Sequence, residues 1–192
     1  MRDLETLLDE AATVHGHLCP GQVLGVRMAM AGCRALGIDE PRGSKRLLVY
    51  VEIDRCAADA IGSVTGCRLG KRTLKHVDYG KLAATFVDTV TGRAVRVTAL
   101  EEARKQAPAY ASHVSGDRHA IQTAAYAVMP DEKLLTVQEV KLIVPGEDLP
   151  GPPVSRVRCA VCGEGVNDRR EVRDNGQVLC RACAGEAYYE LV

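Results

Sequence analysis

Apolar residues recur at Leu4, Leu7, Leu8, Ala11 and Ala12, the three-and-four spacing of an amphipathic helix, and Asp3 stands where it can cap the first turn. That pattern stops at the loop His15-Gly16-His17-Leu18-Cys19-Pro20-Gly21. A second helix is predicted from Pro20, a residue tolerated in a first turn, through Val23, Leu24, Met28, Ala31 and Ala35 to a Gly37 cap. Residues 47–53 read as a strand, and Asp54-Arg55 leads from it into a short helix beginning near Cys56. Two strands over 81–88 and 93–99, joined at Thr91-Gly92, precede helices over 101–113 and 117–129 and a last strand over 137–144. Helices mingled with a hairpin predict an α+β fold with a mixed or antiparallel sheet.

The periodicity ends in PGEDLPGPP, where Pro145, Pro150, Pro152 and Pro153 fall together with Gly146 and Gly151. Such a composition predicts an extended linker over 146–155, between a body over 1–145 and a tail over 156–192. No internal repeat or low-complexity tract interrupts either part.

Composition places the chain among ordinary globular proteins: of 192 residues, 46% are hydrophobic, and 25 basic side chains balance 25 acidic ones. No net field draws it to nucleic acid. The longest apolar runs fall short of the roughly 18 residues a membrane span needs, and MRDLETLLDE carries acids where an export signal would carry bases, so a cytoplasmic protein without membrane contact is expected. Cysteine changes the picture, since eight thiols in a reducing compartment argue for metal ligation or thiolate chemistry ahead of disulfides.

In the tail, Cys159-x-x-Cys162 and Cys180-x-x-Cys183 stand 17 residues apart, matching the spacing of a structural zinc site. A segment this small buries too little to fold alone, and structural zinc supplies on the order of 10 kcal/mol of folding free energy. Gly163 allows a tight knuckle after the first pair, and the second pair is expected to open a helix over 183–192. Arg156, Arg158, Arg169, Arg170, Arg173 and Arg181 are cancelled by Glu164, Asp168, Glu171, Asp174, Glu186 and Glu190. That balance argues for a solvated or protein-contacting surface and against a nucleic-acid footprint.

In the body, His15, His17 and Cys19 share one Gly/Pro loop beside a helix start, a setting for a metal or a thiolate. The alternative is two loop histidines beside a buried thiol. Cys56 stands where a strand hands over to a helix, Asp59 is one turn further on the same face, and Cys67 follows Gly66. If the two clusters meet, imidazole and thiolate with a carboxylate nearby would hold a second transition metal, zinc among the candidates, with an open position. His17, Cys19 and Cys56 are the leading ligands, with Cys67 and Asp59 in or near the shell. His15 ranks behind His17 because residues two apart in an extended turn diverge. Cys33, mid-helix at apolar spacing, belongs to the core. Lys71, within the basic stretch RLGKRTLKH, is a candidate anion contact, although the run is no phosphate loop: three residues separate its glycines and Arg72 replaces the Ser or Thr. His113 and His119 lack partners at ligand spacing and are assigned structural or surface roles.

HGHLCPGQVLGVRMA followed by VEIDRCAADAIGSVTGCRLGKRTL and DYGKLAATF resembles the FmdE family, named for a component of formylmethanofuran dehydrogenase, over residues 10–145 and in the subgroup that ends in a four-cysteine finger. The resemblance implies an α+β core and a metal or active-site pocket onto which His17, Cys19, Cys56, Asp59 and Cys67 map. It also implies tightly intertwined homodimers, a context of one-carbon metabolism, and an accessory role, since the pterin-metal chemistry of that dehydrogenase is assigned to its other components.

Two classes of function fit these residues best. One is a metal-binding accessory or sensor protein whose finger contacts a partner. The other is an enzyme in which Cys19 or Cys56, with Asp59 at hand, acts as thiolate nucleophile, or a metal-bound water acts, on a small anion held near Lys71. A zinc-finger regulator of transcription is the weakest, given the balanced charge and few aromatics.

Overall fold

Asp3 does cap the first helix, α1 (Leu4–His15): its carboxylate accepts the Thr6 N–H at 2.9 Å, and Gly16, in the left-handed region at φ 96°, closes the other end onto Ala12. Helix α2 (Pro20–Leu36) starts at Cys19 and ends at Gly37 as its pattern predicts. The computed structural model describes residues 1–192 and divides them into two compact units, Met1–Ile143 and Val144–Val192.

In the first unit, β1 (Leu47–Val51), α3 (Cys56–Thr65), β2 (Leu74–His76), β3 (Ala83–Asp88), β4 (Ala94–Ala99), α4 (Glu101–Tyr110), α5 (Arg118–Val128), α6 (Asp131–Leu134) and β5 (Leu135–Val140) complete the fold. The five strands form one sheet in the order β2-β1-β3-β4-β5, with β2 parallel to β1 and every other pair antiparallel. The mixed sheet with helices is the α+β class expected. The core lies between α2 and the sheet, where Phe86 is fully buried. It fits because a Cβ added at Gly32 would come 2.4 Å from the Phe86 ring.

Several boundaries differ from the periodic reading, each for a local reason. Helix α4 stops at Tyr110 and not near His113, because Pro108 removes a donor from its last turn. Strand β5 starts two residues early and ends four early, pairing Leu135 with Ala99 and Val140 with Ala94, so it runs only as far as β4 offers partners. Strand β2, three residues long, sits inside the basic run, where no alternation announces it.

The second unit is built from two hairpins, β6 (Arg156–Arg158) with β7 (Gly165–Asn167), and β8 (Val172–Asp174) with β9 (Gln177–Leu179). Of the segment expected as linker, Gly146–Asp148 forms a 3-10 turn, and the Val154 N–H donates to the buried Asp168 carboxylate at 3.0 Å. The helix expected over 183–192 is a single wide turn, Ala182–Glu186, because Gly185 takes φ 96° and breaks the spiral.

Candidate metal centres and a cavity between helix ends

Each finger thiol lies on or beside a hairpin end. The Cys159 N–H donates to the Glu164 carbonyl at 2.9 Å and the Gly163 N–H returns to the Cys159 carbonyl at 3.0 Å, which folds the first knuckle around its sulfur atoms. In the second, the Cys183 N–H donates to the Cys180 sulfur at 3.4 Å. The four sulfurs lie within 4.8 Å of one another, the convergence a tetrahedral ion needs. Their protons record the crowding. Backbone N–H groups of Cys162 and Cys180 draw the Cys159 thiol down to about 6, while hydrogen bonding to Cys180 pushes Cys183 up to about 12. One sulfur can carry charge while its neighbours hold protons, and only a cation allows all to ionise together. Around them, Arg170 pairs with Asp168 at 3.5 Å, Arg173 with Glu171 at 3.1 Å and Arg181 with Glu186 at 3.9 Å, so these basic residues are spent within the finger.

The second cluster is set by close approach of α2 and α3. A Cβ at Gly25 would stand 2.5 Å from the Ala57 carbonyl, and one at Gly21 would stand 3.0 Å from the Cys56 Cβ. These two glycines, one turn apart, bring the starts of both helices together. The fully buried Gln22 locks them, its Nε2 donating to the Cys56 carbonyl at 2.6 Å. Cys19, the N-cap of α2 and 9% exposed, is thereby beside Cys56, the first residue of α3. Burial and a hydrogen bond shared with Cys19 push the Cys56 thiol up. The tendency of a helix start to favour thiolate is therefore outweighed there.

His15, His17 and Cys19 place one donor atom each within 4.8 Å of one another. The divergence expected of His15 and His17 does not occur, because left-handed Gly16 makes the turn tight and leaves the two rings 4.9 Å apart. His15 Nδ1 lies 2.9 Å from Asp59 Oδ2, leaving Nε2 as the nitrogen open to a ligand. Asp59 thus acts on His15 and stands outside the larger cavity described below. Two imidazoles and one or two thiolates are a donor set suited to a borderline transition metal.

Two sequence candidates fall elsewhere. Cys67 is buried in the hydrophobic core, its thiol directed to the Leu47 carbonyl at 3.5 Å and pushed up by burial. Cys33 beside it, buried as its helical spacing implies, is pushed up to about 12 by burial and then by Cys67. Lys71 lines a separate groove with Asp9, Glu10 and Arg42, away from both thiols. A cavity of about 830 Å³ instead opens over His17, Cys19 and Cys56, with Arg55, Arg104, Arg118 and His119 among its lining residues. Sequence reasoning passed over Arg104 and Arg118 and gave His119 a default role. Their signal was available only as charges at the starts of two predicted helices, with nothing to say that those starts face the cysteine loop.

The chain matches the family model described as FmdE, molybdenum formylmethanofuran dehydrogenase operon, over residues 14–139. Residues 153–189 match the prokaryotic DksA/TraR C4-type zinc finger. A protein of Archaeoglobus fulgidus described as a "Probable S-adenosyl-L-methionine-binding protein" is 31% identical over 208 aligned positions, which cover 98% of this chain and 55% of that protein. The chain therefore spans about half the length of this curated relative. A crystal structure of a tungsten formylmethanofuran dehydrogenase FmdE-like protein from Syntrophus aciditrophicus has the same fold, with a TM-score of 0.65, 22% identity, and coverage of 98% of this chain and 96% of that one.

Proposed function

This chain belongs to the FmdE family and carries a C-terminal C4 zinc finger, and from that premise we propose that it is a metal-binding accessory or sensor protein with two metal centres of different purpose. The finger zinc is structural and holds a surface for a protein partner. The core centre, on His15, His17 and Cys19 with Cys56 alongside, holds a second transition metal at the edge of a cavity open to small molecules. The observation that carries this reading is the convergence of the three donor atoms within 4.8 Å, on a loop whose last ligand immediately precedes a largely buried helix. A bound metal there would supply Lewis acidity and a fixed positive charge. The chain's own residues orient it: Asp59 fixes the His15 ring, and Gln22 fixes the helix start that carries Cys56. The Archaeoglobus relative's description supports a small-molecule ligand for the cavity, without identifying that ligand here. We assign the protein to the cytoplasm and to an intertwined homodimer, following the family resemblance, with one-carbon metabolism as its setting.

Cobalt(II) substitution tests the core centre. With the finger held by zinc, added cobalt should give a thiolate-to-metal charge-transfer band that disappears in Cys19→Ser and weakens in His17→Ala. A band unchanged in both variants would place the second metal elsewhere. Light scattering at micromolar concentration should give twice the chain mass, and a monomer persisting across dilution would remove the dimer from the account.

A further inference from the structure

The large cavity has an electrostatic character that the metal centre does not use. Three arginines line it, Arg55, Arg104 and Arg118, against a single carboxylate, Glu101, although the whole chain carries equal numbers of acids and bases. None of the three is engaged in an ion pair, whereas elsewhere in this unit Arg27, Arg46, Arg93 and Arg96 all are.

Four helices also begin at this cavity. Its lining includes Cys19, Pro20 and Gly21 from the start of α2, Cys56 and Ala57 from α3, Glu101 and Arg104 from α4, and Arg118, His119 and Ala120 from α5. All four helices have ten residues or more, and α2, α3 and α4 have no side chain capping their first N–H groups. The positive ends of three uncapped helices therefore face one space.

A further observation is independent of charge. Gln122, 7% exposed, also lines the cavity. Its amide N–H groups are donors of the kind an anion's oxygens accept. Between these polar groups and the thiols the wall is apolar, with Leu18, Leu24, Ile53 and Leu82.

The geometry points to an oxyanion-binding subsite. The phosphate or carboxylate end of a small organic ligand is held by Arg55, Arg104, Arg118 and the Gln122 amide, and its body lies across the apolar wall toward Cys19 and Cys56. Guanidinium groups suit such an end because their N–H groups match two oxygens at once. The same arrangement moves the anion contact from Lys71, which lies in the other groove. The inference deepens the small-molecule part of the proposed function and does not require the core metal.

Titration calorimetry on the full-length protein at low salt, with inorganic phosphate and separately with acetate, decides it. At least one anion should bind saturably, and the tighter one names the class. The double variant Arg104→Gln/Arg118→Gln should weaken that binding at least tenfold, while Lys71→Gln should leave it unchanged. Cys19→Ser should lose the core metal and keep the anion, so failure of the metal reading is distinguishable from failure of this one. Should the glutamine pair fail to fold, Arg104→Lys/Arg118→Lys, which keeps charge but loses the paired N–H geometry, should bind more weakly than the natural protein. Absence of saturation by either anion overturns the subsite. So does wild-type affinity in the glutamine pair, or in the lysine pair where only that one folds, or an equal loss in Lys71→Gln.

Discussion

The finger and the proposed core centre both gather cysteine sulfur, for opposite structural reasons. In the finger, short hairpins and two knuckles gather four thiols with almost nothing buried beneath them: Cys159, Asp168 and Leu179 are its buried residues. In the body, the His15, His17 and Cys19 loop sits on helices held by a core of some thirty side chains, from Leu7 to Leu135. On the two-centre proposal, the first region needs its metal in order to fold, and the second needs its fold in order to bind one. Clustered sulfur therefore does not by itself say whether a metal is scaffold or equipment. What lies beneath the ligands does.

Breaking the finger should give the largest effect. Chelation of its zinc, or Cys180→Ser, should abolish the structure of residues 156–192 while the body keeps its far-ultraviolet circular dichroism, and hydrogen exchange read segment by segment would separate the two. Next, Gly25→Ala should drive a methyl into the Ala57 carbonyl and part the helix starts that carry Cys19 and Cys56. A loss of about 1–3 kcal/mol of body stability, with weaker core metal and an intact finger, is expected in thermal unfolding.

Removing Asp88 probes the body away from either centre. This buried carboxylate receives two hydrogen bonds from Arg46, at 2.7 and 2.6 Å, and is held well below the usual carboxylate range by them. Because the folded form is the more acidic, its contribution is present above about pH 4 and disappears as pH falls through the folded value. Asp88→Asn should cost about 2 kcal/mol at pH 7, less than a fully buried pair because Arg46 is partly exposed, and the difference from the natural protein should shrink toward about pH 2. The smallest effect on folding belongs to Asp59→Asn, which leaves the fold intact and weakens core-metal affinity about 10- to 100-fold through His15.

The same contrast explains what the sequence revealed. The finger was legible because the C-x-x-C pairs at their spacing specify a site without tertiary information, and so were α1, α2 and the β3–β4 hairpin, whose periods and glycine caps are local. The core centre was half legible. His17, Cys19 and Cys56 could be chosen from their positions at helix starts, but the tightness of the Gly16 turn and the packing of Gly21 and Gly25 against α3 are tertiary facts. Cys67 and Lys71 misled because adjacency in the chain stood in for adjacency in space. Cys67 turns into the core beside Cys33, and Lys71 follows a turn into another groove. Arg104 and Arg118, far beyond Cys56 in the chain, reach the cavity only through the packing of α4 and α5.

Metal content by elemental analysis tests the two-centre account most directly. The natural protein should carry two metals per chain. Cys19→Ser should carry one with the finger folded, and Cys159→Ser should carry one with the finger unfolded. One metal per chain in the natural protein, unchanged in Cys19→Ser, would contradict it.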